Sequence, residues 1–194
     1  MKKIVRFFLI IFLLITITII YARYGGTSGL ITKEYKIESS LIGEDFDGLK
    51  VVHFSDLHYL RVTNNDKLKE IVDEINLIKP DIVFFTGDLI DKDFTLTDKD
   101  KDDLINGLSS IKAKYGKYAV LGNHDYVKNI EIFKDIYSNS NFNLLQNSYD
   151  IIYSSNNDKL FIGGIDNYSY NEADINKVME YFNDNSDISY KIIL

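Results

Sequence analysis

Three short blocks of this chain gather side chains that suit a hard metal ion. They are Asp56-Leu57-His58, Gly87-Asp88-Leu89-Ile90-Asp91 and Gly122-Asn123-His124-Asp125. Carboxylates and imidazoles are ligands for Mn²⁺, Fe or Zn²⁺, and geometry rather than raw affinity chooses among these. Asp56 and His58 lie two residues apart. If a strand continues through them, both side chains point the same way and form a two-toothed clamp. Gly87 and Gly122 let the backbone turn sharply beside an ion. Read singly, Asp56, Asp91 and Asp125 are ordinary turn or cap residues. The three blocks together carry the signal.

Each block follows an apolar run that reads as a buried strand, at residues 50–55, 81–86 and 118–121. Open α/β sheets place their ligands outside such strand ends. Helical spacing predicts helices at 66–79, 101–112 and 129–138. A fourth is carried by Ile175, Val178, Met179 and Phe182. Pro80 ends the first helix before the second strand. Further strands are expected at 142–145, 149–153 and 159–165, and from Tyr190 onward. Residues 30–39 alternate loosely, which predicts a first strand with Ile31, Lys33, Tyr35 and Ile37 on one face. Alternating strands and helices make an α/β domain. Asn64-Asn65-Asp66 reads as a helix N-cap, and Gly163-Gly164 as a strand bulge. His53, inside a strand, reads as a core residue or a neighbour of the site, with metal or substrate contact as the rival reading. Tyr59 and Tyr126, beside the motifs, are candidates for lining a pocket.

The three blocks resemble the calcineurin-like metallophosphoesterases, whose pattern runs D-x-H, G-D-x-x-D, G-N-H-D/E, a lone His and G-H-x-H. The first three elements match in order and in kind of element. The resemblance covers roughly Lys50 to the C-terminus. It implies an α/β sandwich with a mixed sheet, whose C-terminal part is expected to lie beyond Leu194, and a two-metal phosphoesterase chemistry. It further implies that Asp56, His58, Asp88 and Asn123 are metal ligands, with Asp88 bridging both ions. His124 is then the acid that protonates the leaving oxygen, and Asp125 the group that fixes its tautomer. Asp91 orders its turn, with or without touching metal. The second ion has only Asp88 and Asn123 from these blocks, and the family pattern completes both spheres with later histidines. The implied cofactors are two divalent ions, and the implied substrate is a phosphorylated small molecule or lipid. The rival reading is a membrane-tethered pseudoenzyme that binds a phosphorylated ligand or a partner.

With 194 residues the chain has room for one ordinary domain, and 45% apolar residues supply a core. A net charge of −7 argues against a large nucleic-acid footprint. Nothing points to a protein partner. The absence of cysteine excludes disulfides and thiolate metal sites. Residues 1–24 open with basic charge and continue as an uncharged apolar run from Phe7 to Ile20. This predicts a membrane anchor, with a cleaved signal peptide as the rival reading. Tyr21 and Tyr24 fall where an interfacial aromatic belt belongs, and Gly26-Thr27-Ser28 is the only weak cleavage signal. Lys2, Lys3 and Arg6 before the run predict an exported domain. Residues 25–49 are read as linker and first strand, and 50–194 as the partial phosphoesterase domain.

Overall fold

The computed structural model describes residues 2–22, 29–127, 129–188 and 190–194. It contains two compact units, Met1–Lys36 and Ile37–Leu194. The first holds helix α1 (Lys2–Ile20), long and apolar enough to cross a membrane. Its two threonine hydroxyls are satisfied within the helix. Thr16 Oγ1 donates to the Phe12 carbonyl at 2.8 Å and Thr18 Oγ1 to the Leu14 carbonyl at 2.9 Å. Back-bonding of this kind hides a hydroxyl in an apolar helix. Arg23, Tyr24 and the Gly26-Thr27-Ser28 stretch lie outside the described residues.

The strand expected at 30–39 does not form: no sheet ladder among the described residues includes it. Ile31, Tyr35 and Ile37 are strongly exposed instead. Alternation makes a strand only where a sheet edge receives it.

The second unit alternates β1 (Val51–Phe54), α2 (Asn65–Ile78), β2 (Ile82–Phe85), α3 (Asp98–Ser109), β3 (Gly116–Ala119), α4 (Ile130–Asn139) and β4 (Asn143–Leu144). These four strands form a parallel sheet in the order β1-β2-β3-β4. Then follow β5 (Ser148–Tyr153), β6 (Lys159–Gly164), the short α5 (Ile175–Val178) and β7 (Lys191–Ile193). They form a mixed sheet, with β5 antiparallel and β7 parallel to β6. The two faces of the first sheet bury different residues. Val83, Phe85, Ala119 and Leu121 pack with Leu68, Leu104, Leu108 and Phe133 of the helices. Ile82, Phe84, Tyr118 and Val120 pack with Ile152, Leu160 and Ile162 of the second sheet. The result is a helix–sheet–sheet sandwich, in accord with the expected fold class.

Local chemistry sets the boundaries. Asn64 caps α2, its Oδ1 accepting from Lys67 N at 2.9 Å, as the sequence implied. Thr97 and Asp100 form a capping box, so α3 starts at Asp98, three residues earlier than its apolar spacing predicts. β3 starts two residues early because its charged Lys117 is buried. The ammonium donates to the Leu108 carbonyl at 2.9 Å and the Ser140 carbonyl at 2.7 Å. The fourth helix is reduced to one α turn followed by a 3₁₀ segment at Glu180–Asn183. Val178, Met179 and Phe182 still pack on Phe161, but Ile175 is exposed. Gly163-Gly164 is no bulge: the β5–β6 register runs unbroken through both. A Cβ on Gly164 would lie 2.2 Å from Leu145 Cβ, so the glycine lets the two layers approach closely.

Candidate metal centre

β1, β2 and β3 end side by side, and the three motif blocks begin there. The expectation that β1 continues through Asp56 and His58 fails. The strand stops at Phe54, and Asp56, His58 and Asp88 all take left-handed backbone, with φ of 55°, 39° and 57°. Non-glycine residues in this region are strained unless their surroundings hold them there. Here the loops after β1 and β2 hold each other. Asp56 N donates to the Gly87 carbonyl at 3.1 Å, His58 N to the Asp88 carbonyl at 3.0 Å and Tyr59 N to the Leu89 carbonyl at 2.9 Å. Leu57, Tyr59, Leu89 and Ile90 anchor these loops in the core. Tyr59 therefore supports the site from beneath and does not line a pocket.

The side chains then converge. His58 Nε2 lies 3.5 Å from Asp56 Oδ1 and 3.9 Å from Asp88 Oδ2, and His58 Nδ1 lies 3.5 Å from Asp91 Oδ2. His124 Nδ1 is 3.7 Å from the same Asp91 oxygen, and the two imidazoles meet edge to face with centroids 4.9 Å apart. Ligand atoms of His58, Asp88 and His124 all fall within 4.8 Å of one another. Asp88 Oδ1 accepts from His124 N at 2.9 Å, which turns Oδ2 toward His58. Asn123 sits exposed on the turn after β3.

Asp125 is fully buried, and its hydrogen bonds go to backbone rather than to His124. It accepts from Asp88 N and Leu89 N at 3.0 Å and from Gly122 N at 2.9 Å. One carboxylate thus ties the loop after β3 to the loop after β2. Burial pushes the Asp125 carboxyl up to about 7, and the Asp88 charge adds to this. The three backbone donors pull the other way.

Asp91 is the acid that faces both imidazoles. It is 1% exposed and paired with the Arg61 guanidinium, which holds its carboxyl below the usual carboxylate range. Sequence reasoning missed Arg61, since one arginine three residues past His58 carries no pattern. Lys92 N points at His124 Nδ1 from 3.4 Å, a long contact. His53 is not a core residue. It is exposed on the outer strand β1, its Nε2 2.7 Å from Thr86 Oγ1.

A cation fits this arrangement. His58 Nδ1 is buried without a hydrogen-bond partner, and the ring stands among Asp56, Asp88 and Asp91. A buried polar atom left unpaired beside clustered carboxylates is costly unless positive charge joins them. The donor set is hard oxygen and borderline nitrogen, suited to Mn²⁺, Fe or Zn²⁺.

The family model of the calcineurin-like phosphoesterases matches residues 49–192, the span that contains every element of the site. The chain belongs to this family. Bacillus subtilis YkuE, a metallophosphoesterase, is 32% identical over 165 residues, covering 84% of this chain and 57% of its own length. A zebrafish (Danio rerio) transmembrane protein with a metallophosphoesterase domain is 27% identical over 162 residues, 79% of this chain and 36% of its own. The UDP-2,3-diacylglucosamine pyrophosphatase LpxG of Chlamydia muridarum is 36% identical over 94 residues, 48% of this chain and 27% of its own. The chain thus spans about half the length of the first of these relatives, and less of the others. As a family member it carries a His/Asp group able to hold a divalent metal ion.

Proposed function

We propose that this chain is a metal-dependent hydrolase of phosphoesters, tethered to a membrane by α1 with its domain on the extracytoplasmic side. The observation that carries this reading is the convergence of Asp56, His58, Asp88 and His124 from three adjacent strand ends. In this reading Asp56, His58 and Asp88 would hold one ion, and Asp88 with Asn123 would contribute to holding a second. Bound divalent ions would neutralise the carboxylates, offset phosphoryl charge and lower the pKa of an attacking water.

The chain's own residues do the rest. The His124 backbone N–H fixes the Asp88 carboxylate, so that one oxygen stays available for binding. As the imidazolium, His124 would donate its Nε2 proton to the leaving oxygen and be left as the neutral ring. Asp91 lies behind its Nδ1, 3.7 Å away, on the side opposite Nε2. Asp125 keeps the two loops in register. The substrate class is a phosphomonoester, phosphodiester or phosphorylated lipid. LpxG, named for a nucleotide-linked lipid substrate, supports the last of these.

The deciding experiment is Asp88→Asn in the full chain, assayed for Mn²⁺-dependent hydrolysis of an aryl phosphodiester. Loss of activity by about two orders of magnitude or more is expected, because one carboxylate serves both ions. Unchanged turnover sinks the assignment. For the membrane reading, protease added to protoplasts should digest the domain, and protection until lysis would reverse the topology.

A further inference from the structure

Beside the motif residues in sequence and bond partners stands a loop held by several side-chain hydrogen bonds. Asp166 follows β6 and is 9% exposed. It accepts from the Tyr126 hydroxyl, from Gln146 Nε2 at 3.1 Å and from Asn167 N at 2.8 Å. Asn147 Oδ1 accepts from Asp166 N at 3.0 Å and from Asp174 N at 2.9 Å, so one side chain pins both ends of the 166–174 loop. What the pinned loop presents is aromatic. The Tyr170 ring stacks on Tyr126 with centroids 5.0 Å apart and planes inclined by 16°. Tyr170 is 42% exposed and Tyr168 87% exposed. Tyr126 packs against the helix-side core, but Tyr170 and Tyr168 are too exposed to add much to it.

Its place in the topology is informative. The order β1-β2-β3-β4 sets Asp56 and the loop after β3 on opposite sides of Asp88. Tyr126 is two residues beyond His124 in that loop. The ring pair is thus tied through the chain to His124, the residue assigned above to the leaving oxygen.

We propose that Tyr126 and Tyr170 form the wall that receives a flat ring, aromatic or sugar, on the leaving-group side of the phosphoester. The proposal rests on the hydrolase reading above and adds a preference for ring-bearing leaving groups. A tyrosine face takes an aromatic ring by offset stacking and a sugar ring by its C–H face. The Asp166 and Asn147 bonds hold the wall in place before the substrate arrives, which cuts the ordering cost of binding.

The test is calorimetric titration of the full chain in detergent with Mn²⁺, using phenylphosphonate, cyclohexylphosphonate and methylphosphonate as probes. Phenyl or cyclohexyl should bind about tenfold tighter than methyl. Whichever of the two prevails tells an aromatic from a sugar-like occupant. Tyr170→Ala should erase the preference and leave the methylphosphonate Kd within about twofold. Tyr170→Leu keeps apolar volume without a flat face and should lose the preference too, which separates recognition from a folding defect. A preference that survives both substitutions overturns the wall while leaving the hydrolase reading intact. If no phosphonate binds the wild-type chain, the hydrolase reading fails and the wall with it.

Discussion

Gly87 and Gly122 touch across the loops after β2 and β3: a Cβ on Gly87 would lie 2.1 Å from the Gly122 amide nitrogen. The converse contact bears directly on the chemistry, since a Cβ on Gly122 would lie 2.1 Å from Asp88 Oδ1. Gly87 also has a φ of +90°, which side-chain-bearing residues rarely adopt. The two motif glycines are thus required by each other's backbone and by the carboxylate between them.

Gly122→Ala should therefore displace Asp88 and weaken metal binding as well as folding. Overpacking of this kind costs roughly 1–3 kcal/mol. A lower urea midpoint together with reduced Mn²⁺ content by elemental analysis is expected. A variant with wild-type metal content would show that the loops separate at little cost to the site.

Asp125 predicts a different signature. Asp125→Ala leaves two buried backbone donors and one partly buried donor without their acceptor, at about 1–3 kcal/mol for each buried donor left unsatisfied. Unfolding by urea should show a large loss of stability in the metal-free protein. If Asp125 instead worked through His124, Asp125→Asn would shift the pH profile of turnover and leave the urea midpoint in place.

His124→Ala should lower turnover most for substrates with poor leaving groups, because those need the proton most. Metal content should stay near that of the wild type. His58, Asp88 and His124 do lie within ligand distance of one another, so loss of metal in this variant would reassign His124 as a ligand.

Lys117 gives a pH dependence remote from the site. Burial lowers its pKa from 10.5 to about 8. Between these values the unfolded chain binds more protons than the folded one, so this group makes stability rise with pH across that window. The slope is no steeper than about 1.4 kcal/mol per pH unit. Subtracting urea curves of Lys117→Met from wild type isolates the term. A difference that stays flat above pH 8 would show that the ammonium keeps its charge in the fold.

Much of the architecture was legible because apolar periodicity is a local property. The alternation of β1 to β4 with α2 to α4, the Asn64 cap and the three motif blocks all follow from residues near in sequence. The sequence read less well wherever a partner from elsewhere decides the outcome. Residues 30–39 have a strand's alternation but no ladder. Lys117, a residue type rarely buried, is buried here because carbonyls of Leu108 and Ser140 receive it.

The site divides along the same line. By itself the sequence determined which residues gather at the strand ends, since motif order and strand position are both written along the chain. Only the tertiary structure decided what each residue does there. It turned Asp56, His58 and Asp88 into left-handed backbone, because cross-loop hydrogen bonds outweigh strand geometry. It placed Asp91 behind both imidazoles and Asp125 on backbone donors. It brought Tyr170 from a distant loop onto Tyr126. Side-chain direction and long-range pairing depend on contacts between segments far apart in the chain, and no local pattern encodes those.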